Sequence, residues 1–275
     1  MLMSAAQTAT GDRRQRRYVP HFAIQGTSPG RAATAQDRLR LWQTYGEDLR
    51  QTIDTLVSRL APAASRQSDL RYETLSRLTD LAALHLYLTQ EWPGVDAAMQ
   101  NRATDATQAL VRCVKAGLLR LPAYRGAAVA RPRGLGDAVD RYRSDPLVVD
   151  QGFWAVSTEI EAFRGHGGAV RVWSLTGRQT QLVDPDRNRL VFLPGTRFKV
   201  LKVTHGSSPV VLMRELFPGE PAVPDLKGTA GANVKWLDDT TIAELERVQA
   251  TAVLGPLERA PGVVPQECID MVRSV

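Results

Sequence analysis

The sequence predicts an α+β fold: a helical N-terminal half followed by a split, mainly antiparallel β-sheet core. Three observations carry this. From Ala35 to Leu119 apolar residues recur at spacings of three and four. After Leu121-Pro122 short apolar runs alternate with Gly, Pro and Asp turns. A last helical pattern, over about Asp239 to Leu254, follows the strands.

The elements follow in order. Residues 1–33 are rich in Thr, Ser, Gly, Ala and Arg without periodicity, and are expected to form a mostly irregular basic arm. Trp42, Tyr45, Leu49, Ile53, Leu56, Val57 and Leu60 mark the apolar face of a first helix that Pro62 ends. A second spans about Asp69 to Thr89, with Leu75, Leu78, Leu81, Leu84 and Leu88 on one side, and Pro93-Gly94 breaks and restarts the helical pattern. A further helix, about Ala103 to Leu119, closes a helical subdomain of residues 34–119. The strands of a 120–220 core are read from "YRGAAVA", "GFWAVST", "AVRVWSL", "RLVFLPGTRFKVLKV" and "PVVLMREL", with "LGDAVDRYR" as a short amphipathic helix between the first two. Residues 221–275 form a C-terminal extension with one helix.

A hydrophobic fraction of 43% and a charged fraction of 23% are those of a globular protein. There is no apolar run long enough to span a membrane and no secretory signal pattern. The expected setting is the cytoplasm, with signal-less secretion also compatible. Two cysteines, Cys113 and Cys268, are too few for a disulfide framework or a zinc cluster, and no metal is expected. The net charge of +6 is concentrated partly at Arg13, Arg14, Arg16 and Arg17. That arm suits contact with nucleic acid or an acidic partner, the alternative being a solvated tail.

Single candidates have bland readings. The four histidines lack metal-ligand spacing, and neither a P-loop nor a G-x-S-x-G elbow is present. The glycine-rich "RGHGG" reads as a hairpin loop before it reads as an anion cradle. Asp184 and Asp186 flank Pro185 as in a turn, and Glu159 and Glu161 would share a face only in a strand.

Taken in order, three stretches resemble the ADP-ribosyltransferase fold of the arginine–serine–glutamate class, which includes many bacterial toxins. They are "LPAYRGAAV", "DQGFWAVSTE" and, most specifically, "VFLPGTRFKV". "LHLYLTQEWPGVDAAMQ" and "VVLMREL" are similar to flanking family segments, so the resemblance covers about residues 70–217. It implies that Arg125, followed by Gly126, binds the phosphates of NAD, as the bidentate guanidinium suits. It implies that Ser157 and Thr158 shape the nicotinamide-ribose pocket. The alternative for Arg125 is an ion pair with Glu215.

The family enters the third stretch through Glu-x-Glu, whose second glutamate steadies the developing cation as nicotinamide leaves. Here that register places Arg187 and Arg189. Opposite charge beside a developing cation should cost at least about 10²–10³ in rate. The resemblance therefore implies a degenerate transferase, a binding or interaction module that keeps an NAD or nucleotide cleft, with Arg189 available to a phosphate. The alternative is an active mono-ADP-ribosyltransferase or NAD glycohydrolase that draws its carboxylate from Glu159 or Asp186. Either reading implies a protein partner or protein substrate.

Overall fold

A computed structural model describes residues 32–60, 71–90, 104–132, 134–221 and 229–254. The first three helices are α1 (Ala35–Leu60), α2 (Arg71–Thr89) and α3 (Asp105–Leu119). They pack around Leu41, Leu49, Leu56, Leu84, Leu110, Cys113 and Leu118. The predicted basic arm, except residues 32 and 33, and the Pro93-Gly94 break lie outside the described residues.

Polar groups key this bundle as firmly as apolar ones. Thr34 and Asp37 close a reciprocal cap on α1: Asp37 Oδ2 accepts from Thr34 N at 2.9 Å, and Thr34 Oγ1 accepts from Asp37 N at 3.2 Å. Arg112 of α3 then donates to Asp37 Oδ1 at 2.6 Å. On α2 the fully buried Asp80 accepts from Arg38 at 2.8 and 2.9 Å and from Arg120 at 3.0 and 3.2 Å. Two guanidiniums satisfy what would otherwise be a costly buried charge. Gly117 is required beside it, because a Cβ there would sit 2.4 Å from the Asp80 carbonyl oxygen. The leucine periodicity of α2 is correspondingly imperfect: Leu75 is exposed while Thr79 and Asp80 are buried. Val57 of α1, expected in the core, is also exposed.

The sheet contains β1 (Gly126–Ala130), β2 (Leu147–Val149), β3 (Trp154–Ser157), β4 (Ala169–Ser174), β5 (Arg178–Gln179), β6 (Arg189–Phe192), β7 (Arg197–Thr204) and β8 (Val210–Glu215). Their order is β2-β7-β8-β4-β1-β3-β6-β5, antiparallel except for the β4–β8 pair. Short helices α4 (Leu135–Ser144) and α5 (Ile160–Arg164) interrupt it, and α6 (Thr229–Leu254) follows. The join between halves is narrow. β1 pairs with β4 along its whole length but meets β3 only at Val129↔Ser157.

β6 and β7 are joined by the Pro194-Gly195 turn, where Gly195 takes φ +85°. They do not pair with each other; one joins each half of the sheet. The turn thus carries the chain across the split. Trp154, Phe192 and Phe198 lock it, with ring centroids 4.9–5.4 Å apart.

The final helix begins at Thr229, well before the expected Asp239. Gly231 and the β-branched Thr229 and Val234 obscure its first turns in sequence. What holds it is tertiary: buried Arg214 donates to Asp238 at 2.6 Å and to Glu220 at 2.5 and 3.0 Å, and Lys199 donates to Asp238 at 2.6 Å. Among the described residues no helix is long and apolar enough to cross a membrane.

The Asp37 cap generates a pH prediction. Burial pushes its carboxyl up, but hydrogen bonds from Arg112 and Thr34 outweigh that and hold it at about 2, below the ordinary 3.8. A depressed carboxyl contributes stability that is present above its unfolded value and lost as pH falls through the folded one. The contribution should be on the order of 1–2 kcal/mol. Chemical denaturation between about pH 5 and pH 2 should show that loss, and Asp37→Asn should abolish it. An equal acid slope in the variant would refute the assignment.

Candidate functional site

The site lies where β1 and β3 part. β3 and β6 run antiparallel from Trp154↔Phe192 to Ser157↔Arg189. Beyond that pair the strands stay connected through side chains. Thr158 donates from its N–H and hydroxyl to the Asn188 carbonyl at 3.2 and 3.4 Å. Glu159 Oε1 accepts from Asn188 N at 3.3 Å, and Ser157 Oγ accepts from Glu159 N at 3.1 Å. Ser157, Thr158, Glu159 and Arg189 are therefore gathered at one end of two paired strands. Glu159 and Glu161 do not share a strand face: Glu159 occupies the N-cap position of α5, without a capping bond from its side chain, and the exposed Glu161 lies in the first turn.

The Arg189 guanidinium finds its partners outside this cluster. It donates to Asp184 Oδ2 through Nε at 3.1 Å and also through Nη2, and Nη2 donates to the Leu88 carbonyl at the end of α2 at 3.1 Å. The pair is largely buried, with side-chain exposures of 19% and 8%. Nearby, His85 Nδ1 meets the Val183 carbonyl at 2.5 Å, and Val183 and Val191 pack into the helical core. Arg189 thus ties the β5–β6 connection to α2, and its two outer nitrogens are not both available to a phosphate. Asp186 is exposed in that connection and hydrogen-bonds to none of the described residues.

Arg125 lies just before β1, not at the centre of a strand, and is exposed. The anticipated pair with Glu215 does not form. Burial pushes the Glu215 carboxyl up against the pull of its hydrogen bonds, from Thr176 Oγ1, Leu175 N at 2.6 Å and Thr176 N at 2.8 Å. Among the described residues none hydrogen-bonds or ion-pairs with Arg125. Gly126 explains the local path. It takes φ +146°, and a Cβ would lie 3.1 Å from the Tyr124 hydroxyl, which folds back to donate to the Ala127 carbonyl at 3.1 Å. Four residues of strand separate Arg125 from the Val129–Ser157 contact, about 13 Å.

The segment before β1 also curls to meet the far edge of the sheet. Ala123 bridges Arg178, Gln179 N donates to the Pro122 carbonyl at 3.1 Å, and Tyr124 N donates to the Gly177 carbonyl at 2.7 Å. Arg125, Ser157 and the entry to β6 thereby lie around one curled half of the sheet.

Sequence reasoning missed Asn188 and Arg131, read Asp184 only as a turn residue, and gave Glu215 a partner it does not have. A partner for Arg189 five residues upstream was readable only once Asp-Pro-Asp was seen as more than a turn. Arg131 donates to the carbonyls of Ala162 at 2.8 Å, Phe163 at 3.1 Å, His166 at 3.3 Å and Gly167 at 3.0 Å. The "RGHGG" loop thus converges carbonyls on a cation, the reverse of an anion cradle.

Known proteins can now be set beside this geometry. No family model matches the chain. Over 133 residues it is 32% identical to Mav of Mycobacterium avium (strain 104), a protein named for NAD(+)–arginine ADP-ribosyltransferase activity. That match covers 46% of this chain but 16% of the Mycobacterium protein, so the chain spans a small part of its curated relative's length. Among solved structures, the type III effector XopAI of Xanthomonas axonopodis pv. citri superposes with a TM-score of 0.52 at 22% identity, covering 68% of this chain and 85% of that one. The ADP-ribosyltransferase HopU1 of Pseudomonas syringae gives 0.52 at 12% identity over 68% and 99%. Exoenzyme S of Pseudomonas aeruginosa, solved with human 14-3-3 protein beta and carba-NAD, gives 0.50 at 16% over 74% and 96%.

The chain has the ADP-ribosyltransferase fold. The resemblance read from sequence motifs and the arrangement of the sheet agree on it. Within that fold, Arg189 is the first residue of β6.

Replacing Arg189 tests the structural role of its guanidinium. Arg189→Glu would set two carboxylates side by side and leave the Leu88 carbonyl without its donor, costing about 2–4 kcal/mol in denaturant unfolding. Adding Asp184→Asn should recover roughly 1 kcal/mol. A single variant as stable as the native chain would show the guanidinium to be idle.

Proposed function

We propose that this protein is a degenerate ADP-ribosyltransferase: a binding module that retains an NAD cleft without the acid that turns NAD over. The observation that carries this is the engagement of Arg189. A cation replaces the expected carboxylate, and its pairing with Asp184 and Leu88 makes it part of the framework. The residues at the other end of the cleft fit the dinucleotide. Arg125 is exposed, and none of the described residues holds its guanidinium; Ser157 and Thr158 stand at the strand end. Arg125 would hold the phosphates, and Ser157 and Thr158 the nicotinamide-ribose end. Bound NAD would supply a labile glycosidic bond to nicotinamide.

One observation favours a second reading. Glu159 reaches across to Asn188, immediately beside the position of the lost glutamate. If the chain is an active mono-ADP-ribosyltransferase or NAD glycohydrolase, Glu159 is the group to take that part. Asp186, exposed and bonded to none of the described residues, is the weaker candidate.

Under either reading the acceptor or partner is a protein. The helical half offers exposed Leu39, Leu75 and Leu119 for such a contact. A nucleic-acid role would fall to the basic arm, outside the described residues.

NAD at millimolar concentration should raise the melting temperature by mass action, and Arg125→Ala should weaken NAD binding by roughly 10-fold or more. Nicotinamide release should stay at background in the native chain and in Glu159→Gln. Release that Glu159→Gln abolishes would replace the binding-module reading with the enzymatic one. No binding of NAD at all would sink both.

A further inference from the structure

We infer that Glu215 is a positioning residue for Arg125, setting the direction from which that guanidinium meets the phosphates of its ligand. This rests on the reading above, in which Arg125 binds the phosphates of NAD.

Glu215 ends β8 and is only 3% exposed. Its carboxylate accepts both N–H groups of the bend after β4, from Leu175 at 2.6 Å and Thr176 at 2.8 Å, and the Thr176 hydroxyl. That bend is the support for the segment bearing Arg125. Ser174 Oγ accepts from Gly177 N at 3.1 Å and donates to the Tyr124 carbonyl at 3.1 Å. The Gly177 carbonyl accepts from Tyr124 N at 2.7 Å. Both peptide groups flanking Tyr124 are thus bonded to the bend that Glu215 holds, and Arg125 is the next residue.

The bend has little room to relax. A Cβ on Gly177 would lie 2.7 Å from Ser174 Oγ and 2.8 Å from Leu190 Cγ. On the outer side, Arg178 Nη1 donates to the Leu121 carbonyl at 2.9 Å, and its charge faces the Glu215 carboxylate. The segment from Leu121 to Tyr124 is fixed by backbone and side-chain bonds. The side chain it presents next, Arg125, is held by none of the described residues. A rigid backbone carrying an unengaged cation is preorganised for an anion, because less freedom is lost on binding.

The experiment measures NAD affinity by calorimetry on the full chain, with amide hydrogen exchange on the free protein. Glu215→Gln should weaken NAD about 10-fold and Thr176→Val about 3-fold, in keeping with hydrogen bonds to a charged group. In an Arg125→Ala background, Glu215→Gln should cause no further loss, since the effect acts through that side chain. In the free protein Glu215→Gln should speed exchange at Tyr124 as well as at Leu175 and Thr176, leaving Val211 and Leu212 in β8 protected. Thr176→Val, at an exposed position, keeps the question answerable if the buried variant folds poorly. Affinity within about twofold of the native chain, or an equal loss in the Arg125→Ala background, would overturn the inference. If the native chain does not bind NAD, the functional reading fails by itself. Exchange at Tyr124 then decides the structural link: unchanged exchange overturns it, and faster exchange upholds it.

Discussion

The aromatic contact of Trp154, Phe192 and Phe198 is the constraint on which the site depends. These rings come from β3, β6 and β7, so one cluster spans both sides of the split sheet. Backbone bonding between β1 and β3 is confined to Val129↔Ser157, too little to hold two half-sheets together. Side-chain burial does this instead, with Val148, Leu190, Val211 and Met213 around the rings. Because the strands are held by their side chains at one end, their backbones can diverge at the other.

Arg189, the first residue of β6, shows how a charged side chain is built into a framework. Its guanidinium donates to Asp184 and the Leu88 carbonyl, a joint between helices and sheet. The long side chain and its forked donors make this geometry accessible where a carboxylate could not donate at all. A glutamate at this position alone would leave Asp184 facing a like charge. Arg189 is therefore embedded in its surroundings.

Much of this was legible in sequence, and the limits have physical causes. The helices of the first half, the strand pair around Pro194-Gly195 and the order of the three family stretches declared themselves through period and turn residues. Pairing partners across long separations did not. Nothing local marks Leu88 as an acceptor for Arg189, or Arg131 as the centre of the 162–167 carbonyls. Asp80 sits among leucines that signal an apolar helix face, yet it is buried because Arg38 and Arg120 arrive from other helices. The short β2, β5 and α5 carry too few residues for any period to show. The early turns of α6 were hidden because Arg214 and Lys199, distant in sequence, supply the stabilisation that its own residues lack.

Arg125 and Arg189 rest on largely different supports. Arg125 is carried by a segment bonded to the β4–β5 bend, which β8 holds through Glu215. Arg189 is held by its pairing in β6, the β5–β6 connection and the end of α2. The two supports meet at the two-residue β5 and where Gly177 abuts Leu190 of β6. On the proposed reading, an arginine in place of the motif's glutamate would rearrange polar contacts on the second support and leave the segment bearing Arg125 its own bonds. In a site whose binding and catalytic groups shared one hydrogen-bond network, the same replacement would disturb both. That division would give the proposed binding module a physical basis: holding the dinucleotide and breaking it would rest on different bonds.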